Sequence, residues 1–203
     1  MAQHSVKTPV SSATSTPQQV PARERLLATA AGLFYREGIT GVGVDRLVAE
    51  AGVTRATMYR HFDGKEGLVV AYLDAEDATI RGYFAQAAQQ LAPDRPPVTL
   101  LEAVIDGVAD DARRYHTRGC PFINAAAEYP DARSPVRVVV ARHRDWFRST
   151  LAEVVAAAGV AEPDRVAASL VLLRDAALVG VYLDGEDTAD AFRRAARHAC
   201  GLG

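Results

Sequence analysis

An all-helical fold follows from three observations on the chain. Apolar residues recur at three- and four-residue spacing along most of its length, Gly and Pro clusters interrupt that period, and no stretch shows the alternation of a half-buried strand. About nine helices result. Residues 1–20 stand apart. They are mostly Ser, Thr, Gln and Pro with few large apolar side chains, so they cannot offset the entropy of ordering and are expected to form a disordered tail.

The helical period begins at Ala22, where Leu26, Leu27, Ala30, Leu33 and Phe34 share one face and Gly38 ends the run. Ile39 to Val42 link it to a second helix whose apolar face is Val44, Leu47, Val48 and Ala51, opposite Asp45, Arg46 and Glu50. Gly52 stands where that helix must stop and the chain must turn. Val53 plugs the corner and Thr54 occupies an N-cap position. The short helix behind it, Arg-Ala-Thr-Met-Tyr-Arg-His-Phe, offers hydroxyl, aromatic and cationic side chains but little apolar surface. Such a helix is built to face something polar, and its propped position fits the second helix of a helix-turn-helix lying in the DNA major groove.

Asp63 and Glu66 then have capping-box spacing and open a long helix carried to about Leu91. Lys65 in its first turn opposes the helix dipole, which suits a nearby external phosphate. The breaker cluster at 92–97 precedes a helix over Val98 to Arg118, striped by Leu101, Val104, Ile105, Val108 and Ala112. Gly-Cys-Pro interrupts it, and a short helical segment follows, ended by the Pro-rich stretch from Tyr129. Ser134 and Pro135 read as N-cap and first residue of a long helix to Ala158, stopped by Gly159. Pro163 opens the next, to about Asp184, and a last one covers roughly Thr188 to Cys200.

Composition narrows the class. With 203 residues, 49% hydrophobic and 24% charged, the chain can bury one large core or two small ones. No apolar run approaches the roughly 20 residues of a membrane span, because the longest, near Leu170 to Leu183, contains Arg174 and Asp175. The N-terminus lacks the apolar centre of a signal peptide, so a cytoplasmic location is expected. Cys120 and Cys200 make no disulfide framework. The net charge of -2 divides unevenly: +1 over residues 21–70, -4 over 71–203 and +1 from Lys7. A basic face on the N-terminal part is thereby allowed.

Catalytic and metal signatures are lacking. There is no GxSxG, HExxH, paired CxxC or phosphate loop. His116 and Cys120 are four apart, but Gly119 and Pro121 break their helix and no third ligand is near. Asp74 with Asp77, and Asp110 with Asp111, read as solvated acids, and His143 as a satisfied core or surface histidine. An enzyme, a resident cofactor and a metal are not expected.

The segments Leu-Phe-Tyr-Arg-Glu-Gly (33–38), Val-Asp-Arg-Leu-Val-Ala-Glu-Ala-Gly-Val-Thr (44–54) and Met-Tyr-Arg-His-Phe-Asp-Gly-Lys-Glu-Gly-Leu (58–68) closely resemble the DNA-binding module of tetracycline-repressor-type transcriptional regulators. Residues 119–128 resemble a stretch in a subset of that family. The resemblance implies phosphate contact by Thr54, Tyr59, His61 and Lys65, and base contact by Arg55 and Thr57, Arg because it can bond guanine bidentately. Phe62 reads as core and Arg60 as a solvated charge. The chain departs from the family at Val42 and Gly43, where a Thr or Ser commonly opens the second helix and bonds phosphate. Thr40 or backbone amides would have to replace that hydroxyl.

Three regions are expected: a tail over 1–20, a reader over 21–67, and an effector-binding and dimerisation domain over 68–203. The function expected is a homodimeric repressor released from a palindromic double-stranded operator by a small-molecule effector. Two readers about one helical turn apart double the contacts that one makes. The interface is expected on Val166, Leu170, Leu173, Ala177, Val181, Phe192, Ala195, Ala196 and Ala199, whose small residues allow close helix approach, although the same stripes could bury within one chain. Phe84, Val104, Val108, Phe122, Asn124 and Trp146 mix aromatic with polar groups as effector pockets do, and the long fourth helix would be the lever between pocket and reader. The alternative is a helical binding domain whose helix-turn-helix is purely structural.

Overall fold

A computed structural model describes residues 20–90, 95–115 and 117–203. Among these residues there are nine helices and no strand. The expected tail lies, apart from Val20, outside the described residues, as do His116, the expected helix end at Leu91 and part of the linker at 92–97.

Helix α1 (Ala22–Glu37) lays Leu26, Ala30, Leu33 and Phe34 on α2 (Val44–Glu50) and α3 (Arg55–His61). Leu47, Val48, Ala51, Met58 and Phe62 close a small core between them. Gly52 has φ +63°, the left-handed conformation that ends α2 and that a side chain would strain. Helix α4 (Gly64–Gln90) is 27 residues long, about 40 Å at 1.5 Å per residue. Its first half packs on α1 through Leu68, Val69 and Tyr72, and its second half reaches α7. The N-terminal helices and the C-terminal helices therefore share one rod.

The remaining helices are α5 (Val98–Arg114), α6 (Pro121–Glu128), α7 (Pro135–Ala157), α8 (Pro163–Asp184) and α9 (Asp187–Ala199). Helix α5 ends four residues before the expected Arg118, and α7 starts as expected, with Ser134 Oγ accepting from the Arg137 amide at 3.3 Å. Helix α8 packs on α7 and α9, with α5 beside them. By length and composition α8 could cross a membrane: its most apolar stretch has mean hydropathy 1.8 despite Arg174 and Asp175, which corrects the reading that this run is too broken. Half of that stretch is buried, and Arg174 is buried too.

A buried polar group sits where α4 meets α7. Asp77, expected to be solvated, is only 7% exposed and accepts from His143 Nδ1 at 2.7 Å and Arg81 Nε at 2.7 Å. A carboxylate on an interior face needs such partners. The His143 ring stacks on Phe122 at 3.7 Å, and its Nε2 has no partner among the described residues. Burial outweighs the pull of Asp77 and lowers the His143 pKa to about 4. The unfolded chain takes up that proton near pH 6.5 and the folded chain only near 4, so the unfolded state binds more protons between them and stability falls as pH drops through that window. Urea unfolding at pH 7 and pH 5 is expected to differ by about 2 kcal/mol from this group, and His143→Gln to flatten the difference.

Candidate nucleic-acid interface

The α3 helix turns Met58 inward and nearly everything else outward. Met58 is fully buried, whereas Thr54, Arg55, Ala56, Tyr59, Arg60 and His61 are exposed and Thr57 is half-buried. Thr54 caps the helix, its Oγ1 accepting from the Thr57 amide at 3.1 Å, and the two hydroxyls lie 3.0 Å apart. That bond fixes where α3 begins and aims its first turn outward. Arg55 stands on the first turn with its side chain 60% exposed and paired with Asp45 of α2, Nε to Oδ1 at 2.6 Å. The hydrogen bond and charge of Asp45 raise the Arg55 pKa above its ordinary value.

Tyr59 is 57% exposed and Phe62 is 6% exposed, so the first is free to meet a ligand and the second belongs to the core. Arg23 lies over the Phe62 ring at 5.3 Å and braces it. Lys65, in the first turn of α4, is half-buried; burial lowers its pKa while the Glu128 carboxylate opposes that. Thr54, Arg55, Thr57, Tyr59, His61 and Lys65 thus belong to two successive elements, α3 and the start of α4.

Thr40 is different. Its amide is held at 2.5 Å by Glu128 Oε2, and the Ile39 amide at 2.8 Å by Glu128 Oε1. These two amides are therefore already bonded within the chain. Burial pushes the Glu128 carboxyl up, but the amides, the Thr40 hydroxyl and Lys65 overcome it and hold its pKa below the usual carboxylate value. Glu128 escaped the sequence reading because its partners lie 88 and 89 residues away.

The expected pocket residues divide. Phe84, Val104 and Val108 line a cavity of about 100 Å³ with Ile80, Phe147 and Arg174. Trp146 lines a neighbouring groove of about 550 Å³ that shares Phe84 and Val104, the Phe84 and Trp146 rings meeting edge to face at 5.5 Å. Phe122 is 1% exposed and spent on His143, and Asn124 faces a separate groove, donating to the Arg118 carbonyl at 3.1 Å. The cavity is lined from α4, α5, α7 and α8, and α6, which carries both residues, contributes no side chain to it. Ile80, Phe147 and Arg174 were missed because an apolar or charged residue facing a void has the same sequence pattern as one in the core.

The expected interface residues divide as well. Val166, Leu170, Ala177, Val181, Phe192 and Ala196 are buried within their own chain, while Leu173, Ala195 and Ala199 are half-buried. The outward stripe of α8 is Ala168, Leu172, Ala176, Val179 and Leu183, spaced four, four, three and four apart. Leu172 and Leu183 are each 68% exposed.

An exposed, capped, cationic α3 propped by α2 defines a helix-turn-helix DNA-binding protein. Two family models match the chain: "Bacterial regulatory proteins, tetR family" over residues 26–72 and "Tetracyclin repressor-like, C-terminal domain" over 97–199. A TetR-family transcriptional regulator from Streptomyces coelicolor has a solved structure 42% identical to this chain, covering 89% of it and 94% of that protein with a TM-score of 0.83. A further solved structure, a tetR-type transcriptional regulator from Streptomyces avermitilis, is 27% identical, covers 87% and 98%, and has a TM-score of 0.71. Among curated relatives, the uncharacterized HTH-type regulator YxaF of Bacillus subtilis is 26% identical over 146 residues, 70% of this chain and 74% of its own. A Lactococcus lactis HTH-type regulator is 24% identical over 107 residues, and the chain spans only about half, 54%, of its length. The chain belongs to the tetR family of bacterial regulatory proteins and is a transcriptional regulator with a helix-turn-helix DNA-binding domain.

Proposed function

We propose that this regulator is a homodimeric repressor that a small apolar effector releases from a palindromic operator. The observation that carries the reading is α8, which is apolar on both faces. A helix apolar all round belongs inside a structure, yet Leu172, Val179 and Leu183 are 68%, 40% and 68% exposed in the single chain. A second copy laid on this stripe buries it, and two-fold symmetry then presents two α3 helices to one duplex. Thr54, Arg55, Thr57, Tyr59, His61 and Lys65 supply the contacts, with Arg55 reading a base edge and Lys65 a phosphate.

The cavity beside Phe84, Val104 and Phe147 would hold the effector. Its lining is mainly apolar with Arg174 at its wall, and it is small enough that a ligand would push the α4, α5 and α7 walls apart. Because α4 also carries the reader, a ligand that prefers the widened state disfavours the DNA-bound one. Trp146 is the one tryptophan of the chain and touches Phe84, so its fluorescence reports occupancy. In a titration with a panel of small apolar compounds, those that change Trp146 emission are expected to release DNA in a mobility-shift assay. Val104→Phe, which fills part of the cavity without adding a second tryptophan, is expected to abolish both effects. Binders that never release DNA would sink effector control.

A further inference from the structure

Helix α6 is tied to the reader at both of its ends. At its C-terminal residue, the two oxygens of Glu128 accept the Ile39 and Thr40 amides at 2.8 and 2.5 Å. Ahead of its N-terminus, the Tyr35 hydroxyl of α1 accepts the Arg118 amide at 2.8 Å and donates to the Gly119 carbonyl at 3.1 Å. The same helix also rests against the cavity wall. Arg174, which lines the cavity, donates from Nη1 to Sγ of Cys120, the N-cap residue of α6, at 3.2 Å. One eight-residue helix therefore touches both the cavity-lining arginine and the loop that leads into α2.

The loop between α1 and α2 is anchored by the buried Ile39 and Val42, with the Val42 amide donating to the Ile39 carbonyl at 3.3 Å. It contains Gly38, Gly41 and Gly43, and no side chain caps α2. Ile39 is 3% exposed, so its amide would be costly to leave unpaired. A carboxylate accepting two amides is a stronger hold than a neutral acceptor would be. Glu128 also faces Lys65, the cation at the start of α4. One carboxylate thus touches the loop before α2 and acts on the first turn of α4, and these two segments bracket α3 in the chain.

We infer that Glu128 is a positioning residue for DNA binding, clamping the α1–α2 loop so that α3 and Lys65 are presented together, and that displacement of α6 through Arg174 and Cys120 opens the clamp. This rests on the reading that the cavity controls the reader. It adds a second route, through α6 and α1, to the one along α4.

The test uses the full chain and DNA fragments that the wild type retains from a random pool. Hydrogen exchange at the Ile39 and Thr40 amides reads the clamp, and fragment affinity reads its consequence. Glu128→Ala is expected to speed exchange at both amides and weaken DNA binding, each by about tenfold, with Glu128→Gln between because it keeps one oxygen. Arg174→Met leaves Asp175 paired with Arg144 at 2.8 Å and so keeps a partner for that carboxylate. It is expected to speed the same two amides and weaken DNA binding in the wild-type background, and to add nothing in Glu128→Ala. Should Glu128→Ala fail to fold, Glu128→Gln carries the comparison. Unchanged exchange in Glu128→Ala, faster exchange with DNA affinity within twofold, or effects that simply multiply in the double variant would each overturn the inference. If the wild type retains no DNA, the DNA reading of α3 fails by itself, and the exchange arm with Arg174→Met still decides whether α6 works the clamp.

Discussion

Replacing Leu172 and Val179 together by aspartate is expected to yield a folded monomer that has lost about 10²- to 10⁴-fold in DNA affinity. Both side chains face solvent in the single chain, at 68% and 40% exposure, so the substitutions open no cavity and bury no charge. Two carboxylates on each copy would face their symmetry mates across an apolar seam and have to be desolvated there. Light scattering should give the mass of one chain of 21.7 kDa, and thermal unfolding of the monomer should remain cooperative. The control is Val166→Asp. That residue is 7% exposed and packs inside its own chain, so the same change there should damage folding itself. A Leu172/Val179 variant that stays dimeric would move the interface elsewhere.

The second large effect is expected at α3. Arg55→Ala with Tyr59→Ala should reduce DNA affinity by about 100-fold or more, since a bidentate arginine–guanine pair carries about 1–3 kcal/mol and a dimer loses two of them. Stability should move little. The Arg55 side chain is 60% exposed, its pair with Asp45 is on the surface, and Tyr59 is 57% exposed. Fragment retention measured beside the melting temperature separates the two effects, and unchanged retention would leave the helix-turn-helix without a role in reading DNA.

The reader was legible in the chain because each of its signals is local. Gly52 takes the left-handed turn, Thr54 caps through a residue three places on, and the stripe Val44, Leu47, Val48 and Ala51 faces α1. Ser134 with Pro135 opens α7 for the same reason. Local pattern failed where the decision was about distance. Asp77 looked solvated because its partner His143 is 66 residues away, and Glu128 looked ordinary because its partners are 88 and 89 away. Helix α8 failed differently. With apolar residues on every side, its sequence could not say which stripe meets α7 and α9 and which is left outside. Of the expected interface set, Val166, Leu170, Ala177 and Val181 are buried within their own chain, while Ala168, Leu172, Ala176, Val179 and Leu183 face outward.

In the proposed dimer, two copies joined along α8 read DNA through paired α3 helices. Selecting the fragments that the full chain retains from a random duplex pool tests reader and dimer at once. The expected result is an inverted repeat whose half-sites lie about one helical turn apart, roughly 34–36 Å, lost from the pool when Leu172 and Val179 are aspartate. Enrichment of a single unrepeated half-site, or of no sequence at all, would contradict it.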